Sequence, residues 1–82
     1  MSNTPPAGFS ETAAWLVTFL RPHTPFAEAI VKRQAERAGL LVVALRGADL
    51  AKLGPMILAA SAPFIDPPAL AQLKREIEAR RT

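Results

Sequence analysis

Residues 66–81, DPPALAQLKREIEARR, are the stretch whose pattern decides the fold class. Asp66 followed by Pro67 matches the start of a helix, an N-cap acceptor and then a proline at the first helical position. The large apolar residues recur at the three- and four-residue spacing of one helical face: Leu70, Leu73 and Ile77. The sequence therefore predicts an amphipathic helix that runs from Pro67 to Arg81.

The same kind of start signal occurs between Thr24 and Pro25. It predicts a second helix over Pro25–Ala38, which ends at Gly39 because glycine readily adopts the left-handed conformation after a helix. Phe26 and Ile30 are expected to face the core from this helix. Its charged residues are expected to point to water.

A first helix is predicted over Glu11–Arg21, with Ser10 as its N-cap and Pro22 directly after it. Its apolar residues also follow helical spacing: Trp15, Leu16, Phe19 and Leu20. The polar, proline-containing segment 1–8 is expected to be a flexible tail. Residues 9–82 are then predicted to form a single helical domain, in keeping with a length of 82 residues.

The segment Leu40–Arg46, LLVVALR, lies between Gly39 and Gly47 and is ambiguous. Its leucines favour a helix, whereas its length and its flanking glycines would suit a short buried strand. We favour the helix, because the rest of the chain offers no strand to pair with it. A lone strand could pair only with its own copy in a dimer.

Two short helices are predicted next, Ala48–Leu53 and Met56–Ala62, separated at Gly54 and Pro55. Together the segments predict an all-α fold, a compact bundle of four to five short helices. Because so much of the stretch from Leu40 to Ile65 is apolar, it either forms the core helix of a tight bundle or leaves an apolar surface for a partner. A homodimer is predicted on the second interpretation.

Composition narrows the class of protein. The chain has no cysteine, so it has neither disulfides nor thiolate metal ligands, and a cytoplasmic location is expected. No signal peptide or membrane-spanning stretch is evident. The net charge of +3 permits an acidic partner without requiring one. Abundant alanine and arginine hint at a GC-rich bacterial genome.

Catalytic machinery is not expected. His23 is the single histidine, and it stands in a loop without a visible partner for acid–base chemistry or metal binding. Asp49 is interpreted as a helix cap or as an ion-pair partner of Arg46 or Lys52. No nucleophile motif or phosphate-binding glycine loop occurs. We therefore expect a protein that is not an enzyme and that uses no cofactor or metal.

The leading functional hypothesis is a small bacterial protein–protein interaction module, such as an adaptor, inhibitor, assembly chaperone or regulator, that acts through apolar helix faces. Basic residues at the rim would steer a partner's approach. The expected partner-binding residues are Val42, Leu45, Ile57, Leu58, Leu70, Leu73 and Ile77, with Arg75 and Arg80 at the rim.

The alternative hypothesis is a nucleic-acid-binding transcriptional regulator. Its phosphate contacts would come from basic residues of the second helix and of the chain's end: Lys32, Arg33, Arg37, Arg80 and Arg81. The helices that would have to enter the major groove of DNA carry apolar side chains, whereas recognition of base edges requires polar ones. This alternative therefore ranks second.

Overall fold

The computed structural model describes residues 8–80. Within this range the chain forms an all-α bundle, as predicted, and contains no strand. A short 3-10 turn, Gly47–Asp49, precedes the third helix. The four α-helices are α1 Glu11–Leu20, α2 Ala27–Arg37, α3 Leu50–Ser61 and α4 Pro67–Arg80. Arg81 and most of the predicted N-terminal tail lie outside the described residues.

Consecutive helices pack on one another, α1 on α2, α2 on α3 and α3 on α4, around one apolar core. The bundle is small, with a radius of gyration of 11.5 Å. The largest fully buried side chains include Leu16, Leu20, Leu50, Leu53, Ile57 and Leu73.

The predicted start signal at Ser10 is confirmed, whereas the prediction that Thr24 caps α2 is wrong. The Ser10 hydroxyl accepts a hydrogen bond from the Ala13 N–H at 3.1 Å, as an N-cap does. The Thr24 hydroxyl accepts from the Phe26 N–H at 3.1 Å and so closes a local turn. Because this turn uses Pro25 and Phe26, α2 begins at Ala27 rather than at Pro25.

Gly39 ends α2 as the sequence predicts. Its φ is +75°, in the left-handed region. The Leu40 N–H donates to the Ala35 carbonyl at 2.8 Å and the Gly39 N–H to the Glu36 carbonyl at 3.1 Å. These two bonds form a Schellman motif, which satisfies helix-end carbonyls and turns the chain sharply away.

The segment Leu40–Arg46 is neither the helix that we favoured nor the alternative strand, but an irregular loop with a turn. The Val42 carbonyl accepts from the Ser10 N–H at 2.8 Å, so the loop is tied to the start of α1. Leu45 is buried in the core. The Ala44 N–H donates to the Leu41 carbonyl at 2.9 Å in a local turn, which continues into neither a helix nor a strand ladder.

The two predicted short helices are a single continuous helix, α3, which runs through Gly54 and Pro55. Local propensity disfavours both residues inside a helix. Packing outweighs this cost, because Leu50, Leu53 and Ile57 lie on one face of α3 and are fully buried. The prediction of a break was therefore wrong for a tertiary reason.

Asp49 acts as a cap, which is one of the two structural roles predicted for it; the other was an ion pair. Its carboxylate Oδ2 accepts from the Arg46 N–H at 2.9 Å and closes the 3-10 turn that leads into α3. The bond fixes the angle at which the loop enters the helix.

Ser61, in the last turn of α3, is fully buried. Within residues 8–80 its hydroxyl oxygen has no hydrogen-bond partner. Leaving a buried hydroxyl unpaired costs about 1–3 kcal/mol. We therefore expect Ser61→Ala to raise the free energy of unfolding by about 1 kcal/mol, measured by urea denaturation. Thr24→Ala is the control, since it removes a buried hydroxyl that is bonded and should destabilise the fold.

Candidate functional site

The structure divides the predicted partner-binding residues into three groups. Leu45, Ile57, Leu73 and Ile77 are buried in the chain's own core. Val42, Leu58 and Leu70 are partly buried, and Arg75 and Arg80 are exposed. Much of the apolar surplus therefore stabilises the bundle. Only the second and third groups are on a surface that a partner can reach.

Two of the accessible apolar residues, Leu58 and Leu70, meet in an open groove between α3 and α4. Its volume is about 450 Å³. The lining residues are Pro55, Leu58, Pro67, Leu70, Ala71 and Lys74. We call this the α3–α4 groove.

The groove arises because α3 and α4 are each apolar on two faces. On α4, Pro67, Leu70, Ala71 and Lys74 follow the spacing i, i+3, i+4, i+7 of one helical face. Leu73 and Ile77 occupy the neighbouring face and are buried. A helix that is apolar beyond its core stripe leaves apolar surface uncovered.

Gly54 sets how closely the groove's two walls approach. A methyl group at this position would lie 2.7 Å from Cγ2 of Ile77, well inside van der Waals contact. The absence of a side chain at Gly54 therefore lets α3 pack directly on α4. Both helices also contribute to the same apolar core.

Pro55 is an unusual residue for a groove wall. It lies inside α3 and is exposed, so burial in the core does not explain its presence. Proline in a helix interior costs about 3 kcal/mol relative to alanine. A residue that is unfavourable for its secondary structure, and whose cost is not compensated by stabilising contacts, often lies at a functional position.

Among the residues that the structure describes, Lys74 is the only charged one that lines the groove. Its side chain is exposed. The ion pair found within residues 8–80 joins Arg21 to Glu28 at 2.7 Å, on another part of the surface. The ammonium group of Lys74 therefore lies at one end of an apolar groove. Within residues 8–80 it forms no ion pair with a carboxylate.

Sequence reasoning missed Pro55, Pro67, Ala71 and Lys74 as groove residues. Pro55 was interpreted only as part of a break between two short helices and Pro67 only as a helix-start signal, and the alanine and lysine lie off the predicted stripe of α4. A second apolar face on α4, formed by Pro67, Leu70 and Ala71 and offset from Leu73 and Ile77, is the sequence signal that indicates the α4 wall of the groove.

A second apolar feature is the exposed aromatic pair Phe26 and Phe64, whose ring centroids lie 6.0 Å apart. Phe26 is 55% exposed and Phe64 44%. The prediction that Phe26 faces the core is wrong, because the turn at Thr24 carries it out of α2. Leu41 and Val43 are exposed in the loop before the 3-10 turn.

The basic residues of the nucleic-acid alternative do not all have free side chains. Lys32, Arg33 and Arg37 are exposed on α2. The Arg80 guanidinium lies over the Trp15 ring at 4.1 Å, a cation–π contact that joins the end of α4 to α1. Arg81 lies outside the described residues.

The titratable residues of residues 8–80 are dispersed. His23 is exposed, and its ring lies 6.0 Å from that of Phe19. The described chain has no group of three or more histidine, aspartate or glutamate side chains that could hold a metal ion.

Within residues 8–80 no helix has both the length and the apolarity to cross a bilayer. Comparison of the chain with known protein families, curated proteins and solved structures finds no match.

Proposed function

We propose that this chain is a protein–protein interaction module whose α3–α4 groove binds a helical segment of another protein. The observation that carries the proposal is the open apolar groove of about 450 Å³, in which Leu58 and Leu70 pack against the core but stay partly exposed. Adaptor, inhibitor, assembly chaperone and regulator are all roles that such a groove supports.

A helix suits this groove better than an extended strand. Added strands bind through unpaired backbone groups at a sheet edge, and residues 8–80 contain no sheet. Two packed helices instead offer side-chain ridges that accept the apolar face of a third helix. Helix-in-groove recognition is a common mode of peptide binding.

The placement of Pro55 supports the same proposal. Pro55 is exposed and so adds no burial of its own to offset its cost to α3, while it lines the groove. A rigid apolar wall reduces the entropy that a binding site loses when it is occupied.

The observations on the second helix give the nucleic-acid alternative less support. Exposure of Lys32, Arg33 and Arg37 is what a solvated helix face shows in any small domain. A second copy of the chain, as in the predicted homodimer, is the competing occupant of the groove.

A displayed library of short amphipathic helical peptides tests the proposal. Peptides that the wild-type protein selects should bind Leu70→Glu at least about tenfold more weakly, because a carboxylate buried against an apolar helix is poorly compensated. Leu58→Glu on the opposite wall should have the same effect. Affinity is measured by fluorescence anisotropy of the selected peptides.

The matched control is Gln72→Glu, which adds the same charge to an exposed position of α4 outside the groove. It should leave affinity unchanged, and circular dichroism should show that all three variants are folded. The proposal fails if no peptide is selected, or if the selected peptides bind Leu70→Glu as well as the wild type.

A further inference from the structure

We infer that the helix bound in the α3–α4 groove carries a carboxylate that pairs with Lys74, so that the partner presents an acidic amphipathic helix. This inference rests on the proposed function and adds the chemistry of the partner. It follows from the position of a single cation in an otherwise apolar groove.

Lys74 lies one helical turn beyond Leu70 and Ala71 on the face of α4 that lines the groove. An apolar partner that covers Leu70 must therefore also cover or closely approach the Lys74 ammonium group. Taking an ammonium group out of water without a partner is costly. A carboxylate on the partner removes much of that cost, whereas a neutral or basic residue does not.

No carboxylate of residues 8–80 forms an ion pair with Lys74. The neighbouring groove residues are prolines, leucines and an alanine, which cannot accept a hydrogen bond through their side chains. In the structure the complementary charge is therefore left for the occupant to supply.

The same cation disfavours a second copy as the occupant. In a two-fold dimer the same patch of both subunits faces itself. Two α3–α4 grooves in contact would bring both Lys74 side chains into one small interface that contains no acidic lining residue. Like charges in such an interface oppose association. A different protein with an acidic helix fits the groove better.

Charge reversal tests the inference with the same peptide library. Peptides selected by the wild type should be enriched in aspartate or glutamate at one position beside their apolar anchors. Lys74→Glu should weaken their binding by about tenfold, because it replaces an attractive pair with a repulsive one. Changing that acidic residue of the peptide to lysine should restore binding to Lys74→Glu and weaken binding to the wild type.

Lys32→Glu is the matched control, because it makes the same change of charge at an exposed lysine of α2, a helix that does not line the groove. It should change affinity by about twofold or less, as long-range charge effects do in physiological salt. Equal losses in the two variants would show general charge attraction and would overturn the specific pairing.

The outcomes separate the inference from the proposed function. Selected peptides that depend on Leu70 but show no acidic preference would overturn the inference and leave the proposed function standing. Peptides that do not depend on Leu70 would overturn both. A wild-type dimer in light scattering that Leu70→Glu dissociates would show that a second copy occupies the groove, and would also overturn the inference.

Discussion

Leu73→Ala is expected to lower the free energy of unfolding by about 2–5 kcal/mol. Leu73 is fully buried where α4 packs on the core. Truncating such a side chain loses its burial energy and leaves a cavity that the neighbours fill only in part. A domain of this length has roughly 4–12 kcal/mol of stability in total, so the variant should be close to unfolding.

Leu70→Ala is the matched control, because it removes the same atoms from the same helix at a partly exposed position in the groove. It should cost about 1 kcal/mol or less, since less apolar surface is returned to water. Urea denaturation followed by far-ultraviolet circular dichroism measures both changes. Equal losses at the two positions would contradict the assignment of Leu73 to the core and Leu70 to the groove.

Gly54→Ala is expected to lower the free energy of unfolding by about 1–2 kcal/mol, although alanine is the better helix former by about 1 kcal/mol. The new methyl group would lie 2.7 Å from Cγ2 of Ile77. That methyl group branches from Cβ, where a side chain has little freedom to move aside. Overpacking at this contact should therefore outweigh the gain in helix propensity.

Two controls make this result specific. Ala51→Gly, at an exposed position one turn earlier in α3, should destabilise the fold by about 1 kcal/mol through propensity alone. In an Ile77→Leu background, which lacks the branch at Cβ, Gly54→Ala should be close to neutral. A stabilising Gly54→Ala in the wild type, measured by thermal denaturation, would contradict the close approach of α3 to α4.

The helix ends were predictable because their signals are local. Ser10, Gly39 and the Asp66–Pro67 pair act within a few residues of their own position, and the structure confirms the ends that they mark. Thr24 was also recognised, although its hydroxyl closes a turn before α2 rather than capping the first helical turn.

The centre of the chain was less predictable because long-range contacts decide it. Gly54 and Pro55 predict a break, yet the burial of Leu53 and Ile57 holds α3 continuous. The segment Leu40–Arg46 takes its shape from a hydrogen bond to Ser10. A partner so far away in sequence leaves no periodic signal in the segment itself.

For the candidate site, the sequence identified the right helices but did not separate core from surface. Leu70 and Leu73 belong to one predicted stripe, yet Leu70 lines the groove and Leu73 is fully buried. The pattern shows which side of α4 is apolar. The crossing of the two helices decides which part of that apolar side is covered by α3.

The amino-acid sequence by itself determined the all-α class, the helix ends and the amphipathic character of residues 66–81, because these depend on spacing and on neighbouring residues. Only the tertiary structure decided that α3 is one helix, that Leu40–Arg46 is a loop, and that Lys74 lies beside an apolar groove. Each of those features depends on contacts between residues that are far apart in the sequence: the burial of Leu53 and Ile57, the hydrogen bond between Ser10 and Val42, and the close approach of α3 and α4 at Gly54 and Ile77.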